Sequence, residues 1–232
     1  MKISKAMMGG IMSLALAVAG VASPAIAVPL VLTFEGLQDF ESVNEFYNGG
    51  TGSLGSGPGT NFGIQFSNAI ALIDSDAGGT GNFGGEPSPS TAITFLGVSQ
   101  TTMNVAAGFD TGFSFFYTSI VVPGVVRVWS GLDGTGSLLA ELDLPVTPNS
   151  GAPDPTGQFS PFLPFGVAFD GIAHSVDFAG SANQIGFDNI TLGSERPIGP
   201  DQAVPLPGSL LLLGAGLAGA GLLIRLRTAT SN

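Results

Sequence analysis

The chain has 232 residues, with 6 lysines and arginines against 17 aspartates and glutamates, one histidine and no cysteine, for a formal charge of -11. That balance excludes nucleic acid as a partner, because phosphate binding needs Lys and Arg. It also excludes disulfides, cysteine-based zinc sites and thiol catalysis, and a lone histidine excludes a histidine metal cluster.

The N-terminus reads as an export signal. Lys2 and Lys5 form its basic region, Ile11 to Val21 its apolar region, and Ala25-Ile26-Ala27 a small-x-small site for signal peptidase. Residues 1–27 are therefore expected to leave as a signal helix, and the mature chain to begin at Val28. Four of the six basic residues (Lys2, Lys5, Arg225 and Arg227) lie in the two end segments. The body from Val28 to Val204 thus keeps two arginines against 17 acids, a formal -15. Such a body suits cations, calcium above all, or neutral glycans, although acidity alone also keeps an exported protein soluble.

Residues 28–194 carry a β pattern and hold enough chain for a core of their own. Leu30 to Glu35 reads as a strand ended by Gly36, and Phe62 to Phe66 alternates with period two. Short apolar runs follow at Ala69 to Ile73, Ala92 to Leu96 and Thr102 to Ala107. Gly112 to Thr118 sets Phe113, Phe115 and Tyr117 on one face, which should turn inward. Val125 to Trp129 is the next strand, and Asp133-Gly-Thr-Gly136 turns it back into Ser137 to Leu144. Pro145 to Pro164 is rich in Pro, Gly and Asp and reads as a loop. Strands resume at Phe165 to Phe169, Ala173 to Phe178 and Gln184 to Leu192. No stretch sustains a 3.6-residue period. About ten short strands with frequent turns indicate an all-β, antiparallel, jelly-roll-like β-sandwich. The 17 phenylalanines give it core area.

Residues 195–203 read as a polar spacer, and 204–227 as an apolar tail. The uncharged run Gly208 to Ile224 is 17 residues long and is closed by Arg225 and Arg227. That is the short limit for a transmembrane helix, with the arginines expected on the cytoplasmic side. Val204-Pro205-Leu206-Pro207, the Leu/Gly-rich span and the terminal arginines resemble the PEP-CTERM sorting tail of Gram-negative bacteria. Leu206 stands where that family usually has Glu. The resemblance implies an inner-membrane intermediate, cleavage near the Pro-x-Pro motif by an exosortase, and delivery to the cell surface or extracellular polymer. Phe34-Glu-Gly36, Asn44 to Gly50, Gly81 to Pro89, Ala107 to Phe115 and Gln184 to Ile190 are similar to PEP-CTERM proteins with a lectin-like body. This implies a carbohydrate-binding-module type of sandwich and no assigned ligand.

Candidate chemistry is sparse. His174 stands alone in a strand pattern, and no Gly-x-Ser-x-Gly elbow occurs. Asp74-Ser-Asp76-Ala-Gly78 has the alternating rhythm of an oxygen-ligand calcium loop, without the later bidentate Glu. Glu35 and Asp188 sit in apolar contexts on the first and last strands, Phe-Glu-Gly and Phe-Asp-Asn; side by side they would repel, and a calcium ion would resolve that, with Asn189 adding a carbonyl. The other reading is that each acid caps its own turn. Trp129, at a strand end, is a candidate for stacking on a sugar or for the core, with Asn82 and Glu86 as polar contributors from the Gly-rich loop. These features point to a non-enzymatic exported protein binding extracellular polysaccharide. The alternatives are a matrix protein without a specific ligand and a glycan hydrolase using a carboxylate pair.

Overall fold

Strands form where apolar and polar residues alternate, and they end where glycine or a left-handed residue breaks the extended backbone. The computed structural model describes residues 28–147 and 157–199. The strands are β1 (Leu30–Leu32), β2 (Ile64–Ser67), β3 (Ile70–Ile73), β4 (Thr91–Thr94), β5 (Gln100–Phe109) and β6 (Gly112–Thr118). They continue with β7 (Gly124–Trp129), β8 (Leu138–Leu144), β9 (Leu163–Ala168), β10 (Ala173–Ala179) and β11 (Gly186–Leu192). A 3-10 turn spans Ser75–Ala77, and the described residues contain no α-helix.

Two antiparallel sheets make a β-sandwich. One has the order β3-β4-β11-β6-β9, with β1 also pairing β11; the other has the order β2-β5-β10-β7-β8. The first strand lies against the last, in the register Leu30↔Leu192 and Leu32↔Ile190. Between the sheets, Phe113, Phe115 and Tyr117 of β6 are all buried, as their spacing requires. Phe178 of β10 packs against Phe187 of β11 with ring centroids 4.9 Å apart in an edge-on arrangement, and Phe115 touches both. Rings packed edge to face add to the stability gained from burial alone.

Boundaries moved for local reasons. β1 stops at Leu32 because Phe34 takes φ 62°, a left-handed conformation. The Tyr47 hydroxyl accepts the Phe34 N–H at 2.6 Å and holds that kink. β2 begins at Ile64, after Gly63 at φ 68°. β9 starts at Leu163, inside the stretch expected to be loop, and tolerates Pro164 because it is an edge strand. The start of the spacer is fastened to the sheet. Ser114 Oγ donates to the Ser194 carbonyl at 2.9 Å, and Asn189 Nδ2 donates to the Ile198 carbonyl at 2.9 Å.

Among the described residues no helix is long and apolar enough to cross a membrane. The signal residues Ala25 and Ala27 and the tail residues Val204, Pro205, Leu206, Pro207, Arg225 and Arg227 lie outside the described residues.

Candidate functional site

Side chains of the first sheet that do not enter the core face outward, and at one end four adjacent strands leave a cleft there. Leu72 of β3, Ala92 and Thr94 of β4, Gly186 of β11 and Thr118 of β6 form its floor. Apart from Leu72 these are small residues, which is what makes it concave. Its volume is about 300 Å³, at the lower end for small-molecule sites.

Two loops wall the cleft. Asn82 and Phe83 come from the Gly-rich loop, and Phe159 from the loop before β9. The loops are laced together. Asn82 Nδ2 donates to Gln158 Oε1 at 3.1 Å, Gln158 N–H to Asn82 Oδ1 at 3.0 Å, and Phe159 N–H to the Asn82 carbonyl at 2.9 Å. Phe83 and Phe162 pack edge to face behind them, with centroids 5.9 Å apart.

The rim carries Phe40, which is 52% exposed although it is a large apolar side chain. Its loop is well anchored on both sides. Asp39 accepts from Ile73 N–H at 2.8 Å and from Thr80 Oγ1 at 2.7 Å. Glu41, fully buried, accepts from the amides of Gln38 at 2.7 Å, Leu54 at 2.8 Å and Ser56 at 3.0 Å. Burial alone would raise the Glu41 carboxyl, but these amides hold it below the ordinary carboxylate value.

Polar groups converge on the same space. The side-chain amides of Asn183 and Gln184 make no hydrogen bond among the described residues. Thr118 Oγ1 is buried, and it too has no partner there. An exposed aromatic ring and two side-chain amides stand around the cleft, and the Thr118 hydroxyl is closed off beneath its floor. The cleft contains no acid–base pair.

The residues singled out from sequence do not fall in one place. Asn82 lines the cleft, through a loop that also carries Glu86. Trp129 is on the other sheet. Val126 and Val128 enter the core, so alternation sends Trp129 outward with Arg127, half-buried, and its indole N–H has no partner among the described residues. Trp129 and Asn82 therefore do not share a site.

Glu35 and Asp188 do come together, through Ser88. Ser88 Oγ lies 2.7 Å from Asp188 Oδ2 and 3.2 Å from each of Glu35 Oε1, the Thr33 carbonyl and the Thr91 carbonyl. A hydroxyl has one hydrogen to give, so four acceptors compete for it. Backbone amides serve the other oxygens. Ser88 N–H donates to Asp188 at 2.9 Å and Asn189 N–H to Asp188 at 2.6 Å. Ser90 and Thr91 N–H donate to Glu35 at 3.0 and 2.8 Å. Burial pushes the Asp188 carboxyl up to about 7, and the Glu35 charge adds to this against the hydrogen bonds from Ser88 and Asn189. Hydrogens from Ser88, Ser90, Thr91 and Asn189 thus already reach both carboxylates. The two acids are close enough to suggest a glycosidase pair. However, Asp188 is fully buried and neither acid lines the cleft, so no sugar could lie between them.

Asp74 caps the 3-10 turn: its Oδ1 accepts from Asp76 N–H at 3.2 Å, and Asp76 is exposed on that turn. No group of three or more His, Cys, Asp or Glu side chains placed to hold a metal occurs among the described residues. His174 is half-buried, with Nδ1 3.0 Å from the Ser130 carbonyl. Sequence reasoning did not reach Phe40, Thr118, Asn183, Gln184 or Ser88. The one available hint was Pro87-Ser88-Pro89, where Ser88 is the only residue with an N–H to donate.

No protein-family model and no curated protein matches the chain. Among solved structures it is similar to the K2 cleaved adhesin domain of Lys-gingipain, with a TM-score of 0.44 and 11% identity over 71% of this chain and 98% of that one. It is also similar to a glycoside hydrolase family 43 arabinoxylan arabinofuranohydrolase from Bacillus subtilis. There the TM-score is 0.31 and the identity 20%, over 47% of this chain and 23% of that one.

Proposed function

We propose that the chain is an exported protein of the cell surface or extracellular matrix that binds polysaccharide there without cleaving it. The observation that carries this reading is the outer-face cleft, lined by exposed Phe40 and by Asn183 and Gln184, whose side-chain amides make no hydrogen bond among the described residues. Sugar rings are bound by an aromatic face plus a few directed hydrogen bonds, and this cleft offers both.

Delivery rests on the two ends of the sequence. Signal peptidase would act after Ala27. An exosortase-type protease would act near Val204-Pro205-Leu206-Pro207 on an intermediate held in the inner membrane by the apolar run before Arg225 and Arg227. The jelly-roll-like sandwich between them is the cargo. Calcium, as a structural ion, would be held by Glu35 and Asp188 with the Ser88 hydroxyl and the Thr33 and Thr91 carbonyls. It would tie the first strand to the last.

A glycan array probed with the chain starting at Val28 tests the reading. Retention on a defined set of polysaccharide fragments supports it. No retention on any glycan would leave a matrix protein without a specific ligand.

A further inference from the structure

Charge narrows the ligand class. The body carries only Arg127 and Arg196 as cations. Arg127 is on the other sheet, with its Nε 2.6 Å from Glu141 Oε2. Arg196 follows β11, and its neighbour Glu195 lies against Gly112 and Gly166. Gly112 begins β6 and Thr118 ends it, so about 20 Å of strand separates that corner from the cleft. No cation therefore stands at the cleft among the described residues. An anion lies beside it: Asp39, not itself a lining residue, adjoins Phe40 and bonds Thr80, and both of those residues line the cleft.

A uronate or sulfate entering this space would lose water, gain no counter-charge and meet Asp39. A neutral sugar would not. Its apolar C–H face suits Phe40, and its hydroxyls both give and accept hydrogen bonds, as the Asn183 and Gln184 amides do.

We infer that the cleft is a subsite for a single uncharged pyranose unit, and that the ligand class is neutral polysaccharide rather than uronate- or sulfate-bearing polysaccharide. The inference rests on the polysaccharide-binding reading above and names the chemistry of its site.

Thr118 gives the subsite its selectivity. Its Oγ1 is buried without a partner, and its Cγ2 faces Gly186, where a Cβ would stand 3.3 Å away. As it stands the hydroxyl is closed off from the cleft, and rotation about χ1 would bring it to the place the methyl now holds beside Gly186. A sugar hydroxyl seated there would satisfy a group that the protein leaves unpaired. Gly186 keeps the floor low, since a Cβ at this position would press on the Thr118 methyl and the Phe162 ring.

The test is calorimetric titration of the full chain with neutral gluco-, manno- and galacto-oligosaccharides and with oligouronates of matched length. The expected result is saturable binding of at least one neutral series and none of the uronates. Phe40→Ala and Gly186→Val should each weaken binding by about tenfold or more, the scale of one lost aromatic contact or a filled floor. Thr118→Val, equal in shape, should weaken it several-fold while the unfolding midpoint holds or rises, because the buried hydroxyl has no partner among the described residues to lose. Phe40 is exposed, so its variant folds even if Gly186→Val does not. Preference for uronates overturns the inference. Neutral-sugar binding indifferent to Phe40→Ala and Thr118→Val also overturns it, while leaving the polysaccharide reading intact. Binding of no saccharide in either class overturns both.

Discussion

Asp188 makes the stability of the metal-free chain fall as pH rises. Its carboxyl titrates near 3.8 when unfolded and is pushed up to about 7 when folded, by burial first and by the Glu35 charge as well. An acid shifted this way holds its proton more tightly in the folded state. Its stabilising contribution is therefore complete below pH 3.8, declines as pH rises and is gone above about 7. Each pH unit in that window is worth about 1.4 kcal/mol, so the whole loss is about 4 kcal/mol. Between about pH 5 and pH 8 the loss is about 3 kcal/mol, or about 1.5 M in urea midpoint at a slope of about 2 kcal/mol per M. Glu41 and Glu45 are held below the ordinary carboxylate value, so their opposite effect is complete on the acid side of this window. The assay is urea unfolding in chelator across that range, for the wild type and for Asp188→Asn. The variant gives up an acceptor for Ser88 N–H and starts lower, but its midpoint should stay level with pH. A wild-type midpoint that is flat or rising over this range, or a variant with the same slope as the wild type, would refute the reasoning.

Calcium should reverse that loss. At a concentration about 100 times its dissociation constant the ion adds about 2.7 kcal/mol, and it should do so more at pH 8 than at pH 5, because it competes with the Asp188 proton. A melting temperature indifferent to millimolar calcium at pH 8 would remove the ion from the account. Glu41→Ala strands three backbone amides that now donate to a buried carboxylate. It should cost about 3 kcal/mol or more by thermal unfolding; a loss under about 1 kcal/mol would mean that these bonds are easily replaced. Trp129 is the single tryptophan and sits on the sheet opposite the cleft. Saturating sugar should leave its fluorescence unchanged, and quenching would move the binding face to that sheet.

Some strands were legible from period two and others, such as Ala69 to Ile73 and Ala92 to Leu96, only as short apolar runs between turn residues. Gly112 to Thr118 and Val125 to Trp129 show which side is core from their own residues. The ends of strands were less legible. Phe34 turns left-handed only because Tyr47, thirteen residues on, takes its amide hydrogen, and no local signal announces that. Glu35 and Asp188 drew notice as acids in apolar contexts on the first and last strands. Their link through Ser88 was hidden because it depends on a loop 53 residues after Glu35 and 100 residues before Asp188. The cleft was the least legible feature. It is assembled from the Phe40 loop, the Asn82 loop, β4, the end of β6 and the start of β11. Its floor is defined by small residues such as Ala92 and Gly186, whose meaning appears only when the strands are placed side by side. Trp129 drew attention because it is rare, whereas the exposed ring at the cleft is a phenylalanine, one of 17.

The most direct measurement is a titration of the chain with extracellular polysaccharide from its source organism, recording binding heat and polymer size by light scattering in the same sample. Saturable binding that Phe40→Ala weakens, with polymer length constant over hours, is the predicted result. No saturable binding, or steady shortening of the polymer, would contradict it.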